Sequence, residues 1–259
     1  MLMRTLIALS FSLFLWTSLA LAVDDKKLVD LTYPFSEAAQ HWPTAKPFHL
    51  EKISEGRTPA GFWYSSYEYS GSEHVGTHLD APFHFAEGGW TTEKIPLART
   101  IGPGVVIDLR RKSEANRDYL FQLDDLRAWE KVHGRIAPGS IVLAFTGWGK
   151  YWEDRKRYFG TDEPGNVTDL HFPGLSKELA EFLVKQRAVK AVGIDTPSID
   201  HGPSKDFPVH QVFGAANVPI FENVAALDRL PAKGATIFAL PMKIKGGSGA
   251  PLRIFALLP

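Results

Sequence analysis

The chain has no cysteine among its 259 residues, which removes disulfides, thiolate nucleophiles and every thiolate metal site in one step. Stability must therefore come from packing and hydrogen bonding. An excess of charge is lacking too: Lys plus Arg and Asp plus Glu number 29 each, so no electrostatic footprint points to nucleic acid or to an anionic membrane surface. Internal repeats and low-complexity tracts are absent, which excludes solenoids and disordered linkers. The expected partner is a small molecule.

Long apolar runs are confined to the amino end. Arg4 supplies a positive start, Leu6 to Leu19 is an almost unbroken apolar stretch, and Ala20-Leu21-Ala22 has the small-x-small pattern of a cleavage site. Residues 1–22 thus read as a secretory signal peptide. A membrane anchor needs about 20 apolar residues, and here Asp24-Asp25-Lys26-Lys27 follows too soon. The expectation is a secreted or periplasmic protein, free of the membrane after cleavage, with residues 23–259 forming one domain large enough for an extensive core.

Short β-branched or aromatic runs bounded by Gly and Pro predict strands at Leu28 to Thr32, Phe62 to Tyr69, Val105 to Leu109, Ile141 to Phe145, Val189 to Ile194, Thr236 to Leu240 and Arg253 to Leu258. Helical periodicity predicts helices at Leu123 to Val132, stopped by Gly134, and at Ser176 to Arg187, capped by Ser176. Alternation of strands and helices in the middle, with strand-rich ends, gives an α/β fold with a mixed, partly barrel-like sheet. Residues 146–175 are polar, aromatic and irregular, the character of a long loop that covers a site or meets another subunit.

The densest chemistry lies in His74-Val75-Gly76-Thr77-His78-Leu79-Asp80-Ala81-Pro82-Phe83-His84, which gathers three of the nine histidines into eleven residues. Gly76 and Pro82 disfavour a helix, so the segment is a strand end running into a loop. In extended chain the even spacings of His74, His78 and Asp80 point them to one side. Two imidazoles and a carboxylate leave open positions on a divalent ion, the mark of a catalytic rather than a closed structural site. Such an ion lowers the pKa of water from about 15.7 toward about 7. His84, one imidazole beyond the ligand count, is then the expected proton carrier.

Two other classes fit parts of the pattern. A metal-dependent binding protein would hold a small ligand without turning it over, although it would have no use for His84 as a proton shuttle. A serine hydrolase is suggested by Gly246-Gly247-Ser248-Gly249-Ala250, a near match to a nucleophile elbow that lacks the final glycine.

The complete run His-x-Gly-Thr-His-x-Asp-x-Pro-x-His resembles the hallmark of the cyclase family of metal-dependent hydrolases, which includes bacterial kynurenine formamidases and isatin hydrolases. The similarity extends through Val29-Asp30-Leu31-Thr32, His41-Trp42-Pro43, Gly193-Ile194-Asp195-Thr196-Pro197-Ser198 and Pro219-Ile220-Phe221-Glu222-Asn223. It implies an α/β fold of the swivelling β/β/α type, a mixed sheet with a barrel-like core and flanking helices, assembled as dimers or tetramers. It further implies one or two divalent ions, Zn²⁺ or Mn²⁺, held by His74, His78 and Asp80, with His210 and Glu222 completing a second position bridged by Asp80. His84 takes the proton-transfer role and Trp42 a place against the substrate. The implied chemistry is hydrolysis of an amide C–N bond in a small aromatic compound. Phe62, Trp63 and Tyr64 are candidate walls for such a ring, while His49, His133, His171 and His201 are expected to be structural.

Overall fold

A computed structural model describes residues 24–259, so the signal segment expected at 1–22 lies outside the described residues. Among the described residues twelve strands form: β1 (Leu28–Asp30), β2 (His49–Arg57), β3 (Trp63–Ser70), β4 (His78–Asp80), β5 (Ile101–Asp108), β6 (Leu120–Phe121), β7 (Ile141–Phe145), β8 (Gly174–Leu175), β9 (Ala191–Ile194), β10 (Ile220–Glu222), β11 (Lys233–Pro241) and β12 (Gly249–Leu257). The α-helices are α1 (Leu97–Thr100), α2 (Arg110–Ala115), α3 (Leu123–His133), α4 (Arg155–Phe159), α5 (Lys177–Phe182) and α6 (Pro208–Ala215).

The main sheet runs β1-β12-β11-β5-β7-β9-β10-β4, and β4 pairs back onto β12. That last pairing closes β12, β11, β5, β7, β9, β10 and β4 into a mixed barrel and removes its edges. The four strands β5, β7, β9 and β10 are parallel, whereas β11, β12 and β4 join antiparallel. This is the expected α/β class with a barrel-like core.

Burial on both faces explains the uninterrupted apolar runs of the parallel strands. Ile141, Leu143 and Phe145 of β7 point into the barrel with Leu79, Phe221, Ile237 and Ile254. Val142 and Ala144 point the other way, toward Leu126 and Trp129 of α3, Leu179 of α5 and Phe213 of α6. The expected helix ends hold. Ser176 accepts a hydrogen bond from Leu179 N ahead of α5, which widens into a π turn at Leu183–Arg187, and Gly134 at φ 84° stops α3.

One expectation needs correction, and one strand has no counterpart among those expected. Residues 146–175 are not an open loop: a 3₁₀ turn at Trp148–Tyr151, then α4 and β8, pack Trp148, Trp152, Tyr158, Phe159 and Phe172 into a third core with Val75. Its aromatic residues are the cause, since they bury enough apolar surface to order an otherwise polar stretch. Strand β2 went unrecognised because Glu51, Lys52, Glu55 and Arg57 give it no apolar face. It exists by backbone pairing with β3, and the two form an exposed arm.

Candidate metal centre

Strand register assembles the site. Leu79 and Phe221 face the barrel interior, so their strand neighbours His78, Asp80 and Glu222 must project from the opposite side. The antiparallel pairing places Glu222 directly across from His78 and Ile220 across from Asp80. Full burial of Leu79, worth about 1.5–3 kcal/mol, anchors the strand between the two ligating positions.

Asp80 is the hub. Its Oδ1 lies 2.6 Å from His74 Nδ1 and 3.2 Å from His78 Nε2, and its Oδ2 lies 3.1 Å from His210 Nε2. Glu222 closes the other side, with Oε2 3.4 Å from His78 Nε2 and Oε1 3.2 Å from His210 Nε2. Two ligand sets result, His74–His78–Asp80 and Asp80–His210–Glu222, sharing Asp80. Residues distant in sequence thus meet as the resemblance implies.

Each imidazole is oriented from behind. His78 Nδ1 lies 2.9 Å from Gly76 O, which also accepts from Asn223 Nδ2 at 2.6 Å, so its Nε2 faces the cage. Gly76 makes that turn at φ +60°, where a side chain would strain the backbone. His210 Nδ1 sits 2.7 Å from Asp200 Oδ2, and the same carboxylate accepts from Val209 N and His210 N at the start of α6. Asp200 thereby caps the helix and points Nε2 inward, the outer-sphere arrangement that fixes a ligand's tautomer. Neither Asp200 nor Asn223 stood out in the sequence. Their signal was only proximity to motif segments, because their roles depend on contacts across 10 residues for Asp200 and 147 for Asn223.

The electrostatics favour a cation. Asp80, Asp200 and Glu222 are all buried, and among the described residues the only charged partners within ion-pair distance are histidines, with no lysine or arginine. Buried carboxylates need compensation, and the nitrogen and oxygen donors here suit a divalent ion of the zinc or manganese kind. Burial disfavours charge on His78, yet Asp80 and Glu222 outweigh it and hold the imidazole up to about 10. His210 is likewise raised well above the ordinary value, against burial, by Asp200, Asp80 and Glu222. Asp80 is held well below the usual carboxylate range, despite burial, by His74, His210 and His78.

These shifts have a measurable consequence. The carboxylates around His78 and His210 favour their protonated forms, and a cation accepts only neutral imidazole. Calorimetric titration of the ion at pH 7 in two buffers of different ionisation enthalpy should show release of about one or more protons per ion. Heats independent of the buffer would contradict the cage.

His84 follows β4 on a 3₁₀ turn at Pro82–His84 and stacks on His74 with ring centroids 4.1 Å apart. Among the described residues it has no carboxylate partner. Burial pushes its pKa down to about 4; Asp80 pulls upward, and His74 and His210 reinforce the fall.

The cage opens into a cavity of about 340 Å³ lined by Trp42, Phe85, Phe207, His41, Pro197 and Ser198 as well as the cage residues. Trp42 meets Phe159 and Phe207 edge-on. Phe62, Trp63 and Tyr64 do not line it in this chain: they lie exposed on the arm, because β2 and β3 leave the barrel surface. Phe85 and Phe207 supply the aromatic walls instead, with Phe85 4.4 Å from His210 between ring centroids. Ser248 is absent from the lining, so the near-elbow does not present a nucleophile to the cavity. His49, His133, His171 and His201 stand apart from the cage.

A closed mixed barrel carrying this cage on the outer face of β4 and β10 is the architecture of a known class, and the chain belongs to the cyclase family: the family model "Putative cyclase" matches residues 29–201. Among individual relatives, the isatin hydrolase of Roseibium aggregatum is 35% identical over 218 residues, covering 81% of each chain. The kynurenine formamidase of Geobacillus thermodenitrificans is 28% identical over 229 residues, covering 87% of this chain and 94% of its own. In three dimensions, isatin hydrolase A from Ralstonia solanacearum superposes with a TM-score of 0.81 at 34% identity, over 90% of this chain and 92% of its own.

Proposed function

We propose that the protein is a metal-dependent hydrolase of an amide C–N bond in a small aromatic compound, acting on a cyclic amide such as isatin or on an arylformamide such as N-formylkynurenine. The observation that carries this reading is the shared Asp80, whose two oxygens serve two ligand sets at the floor of an aromatic-walled cavity. Similarity to an isatin hydrolase and to kynurenine formamidases supports the substrate class.

His74, His78 and Asp80 would hold the first ion, and Asp80, His210 and Glu222 would hold a second. When bound, the cation supplies a Lewis acid that polarises an acyl oxygen and acidifies water. Trp42, Phe85 and Phe207 orient a flat ring and exclude bulk solvent. His84 is neutral at physiological pH, so a free ring nitrogen can take a proton from the attacking water and pass it to the departing nitrogen. The test is turnover of isatin and N-formylkynurenine by protein loaded with Zn²⁺ or Mn²⁺. Ring opening or deformylation that disappears on chelation supports the reading, and inertness toward both classes with bound metal contradicts it.

Self-association is part of the same proposal. Of the exposed large apolar side chains among the described residues, Leu50, Ile53, Phe62, Trp63, Tyr64, Tyr67 and Tyr69 all lie on the β2–β3 arm. A lone two-stranded hairpin is marginal in water, and an apolar patch this concentrated marks a contact surface. A second copy of the chain is the occupant. Replacing Phe62 and Trp63 by Ser should lower the mass in light scattering from dimer or tetramer to monomer; a monomeric parent protein would overturn this. We further propose export to the periplasm or medium, on the basic start and apolar stretch of residues 1–22.

A further inference from the structure

The glycine-rich segment 246–249 is unused by the reaction, yet it is packed against the first ligand of the cage. Gly249 pairs with Asp80 across β12 and β4. A Cβ on Gly249 would lie 2.5 Å from His74 Cε1, and one on Gly247 would lie 2.9 Å from Glu73 Oε1. The glycines let this backbone close around Glu73 and His74. Between them, Ser248 Oγ lies 3.1 Å from His74 Nε2 and donates to Glu73 Oε2 at 2.8 Å. Glu73 Oε2 also accepts from Ser248 N at 2.9 Å and from Gly249 N at 3.2 Å. The segment is further tied by Thr92 N to Gly247 O at 3.0 Å and by Ala81 N to Ser248 O at 2.9 Å.

Donor counting gives this chain of contacts a direction. A carboxylate only accepts, so the single hydroxyl proton of Ser248 goes to Glu73. The serine oxygen is then left as an acceptor toward His74, and Nε2 carries the hydrogen. The other ring nitrogen, Nδ1, faces Asp80 Oδ1, and the hydrogen shared there is the one an ion would replace, while the hydrogen on Nε2 stays with Ser248. We propose that Glu73 and Ser248 form an outer-sphere relay that locks His74 in the tautomer presenting Nδ1 to the metal, making both of them positioning residues for the ion. This rests on the cage being a metal site. It also accounts for the near-elbow sequence: the Gly-Ser-Gly geometry serves a hydrogen bond behind a ligand, outside the cavity, rather than a nucleophile.

Ser248→Ala, Glu73→Gln and the double variant, each compared with the parent in chelator-competition titrations of Zn²⁺ and Mn²⁺, test the relay. Each single change should weaken ion affinity by about 10–100-fold. The double variant should be no weaker than the poorer single one, because both act through one contact. The thermal midpoints of the metal-free proteins should match the parent's, and the d–d absorption of the Co²⁺-loaded variants should shift. Parent-like affinity in Ser248→Ala, losses that multiply in the double variant, or a lowered metal-free midpoint that accounts for the loss would overturn the relay while leaving the cage intact. A parent protein that takes up no ion would overturn the cage and the relay with it.

Discussion

His84→Ala should keep its metal and lose turnover by about 10²–10⁴-fold, the usual worth of a positioned general acid–base group. The reason is geometric. Asp80 and Glu222 draw in His74, His78 and His210, whereas His84 has, among the described residues, no carboxylate within ion-pair distance and meets the cage through its ring, stacked on His74 and edge-on to His210. It lines the cavity, and burial pushes its pKa down to about 4, so at neutral pH its imidazole is an empty proton acceptor facing substrate. The check pairs elemental analysis with kcat on the same sample. Turnover within a few-fold of the parent would remove His84 from the mechanism, and loss of the ion would make it a ligand.

Asp80→Ala should lose both ion and turnover. This side chain supplies one oxygen to each ligand set, so its loss leaves each set with only two of its three members. The metal-free fold should suffer as well. His78 and His210, both raised in pKa by Asp80, would keep Glu222 and Asp200 but lose the anion between them. Removing one member of a buried ion pair costs roughly 3–5 kcal/mol. Denaturant unfolding of the metal-free variant at neutral pH should show a loss of that order, and metal content should fall to background. An Asp80→Ala protein that still binds the ion would refute the shared-ligand geometry.

His74, His78, Asp80 and His84 were legible from spacing alone: a strand of three residues, β4, sets the parity of His78 and Asp80, and the compositional excess of histidine needs no fold to be seen. His210 and Glu222 were reached only through resemblance to the cyclase family, since Glu222 owes its place to the β10–β4 register and His210 to a helix whose start is capped by Asp200. No local pattern carries a register between strands so far apart in the chain. The same limit hid the arm. Strand β2 pairs with β3 through its backbone, and its charged side chains give hydropathy nothing to detect. The stretch 146–175 misled for the opposite reason, because Trp148, Trp152, Tyr158 and Phe159 follow no fixed period yet share one core.

Anomalous diffraction recorded at the zinc and manganese edges, from crystals of the protein grown with both ions, tests the metal centre most directly. The predicted result is a peak bonded to His74 Nδ1, His78 Nε2 and Asp80, with or without a second between Asp80, His210 and Glu222. Featureless anomalous maps at both edges, with the three side chains bound only to one another, would contradict it.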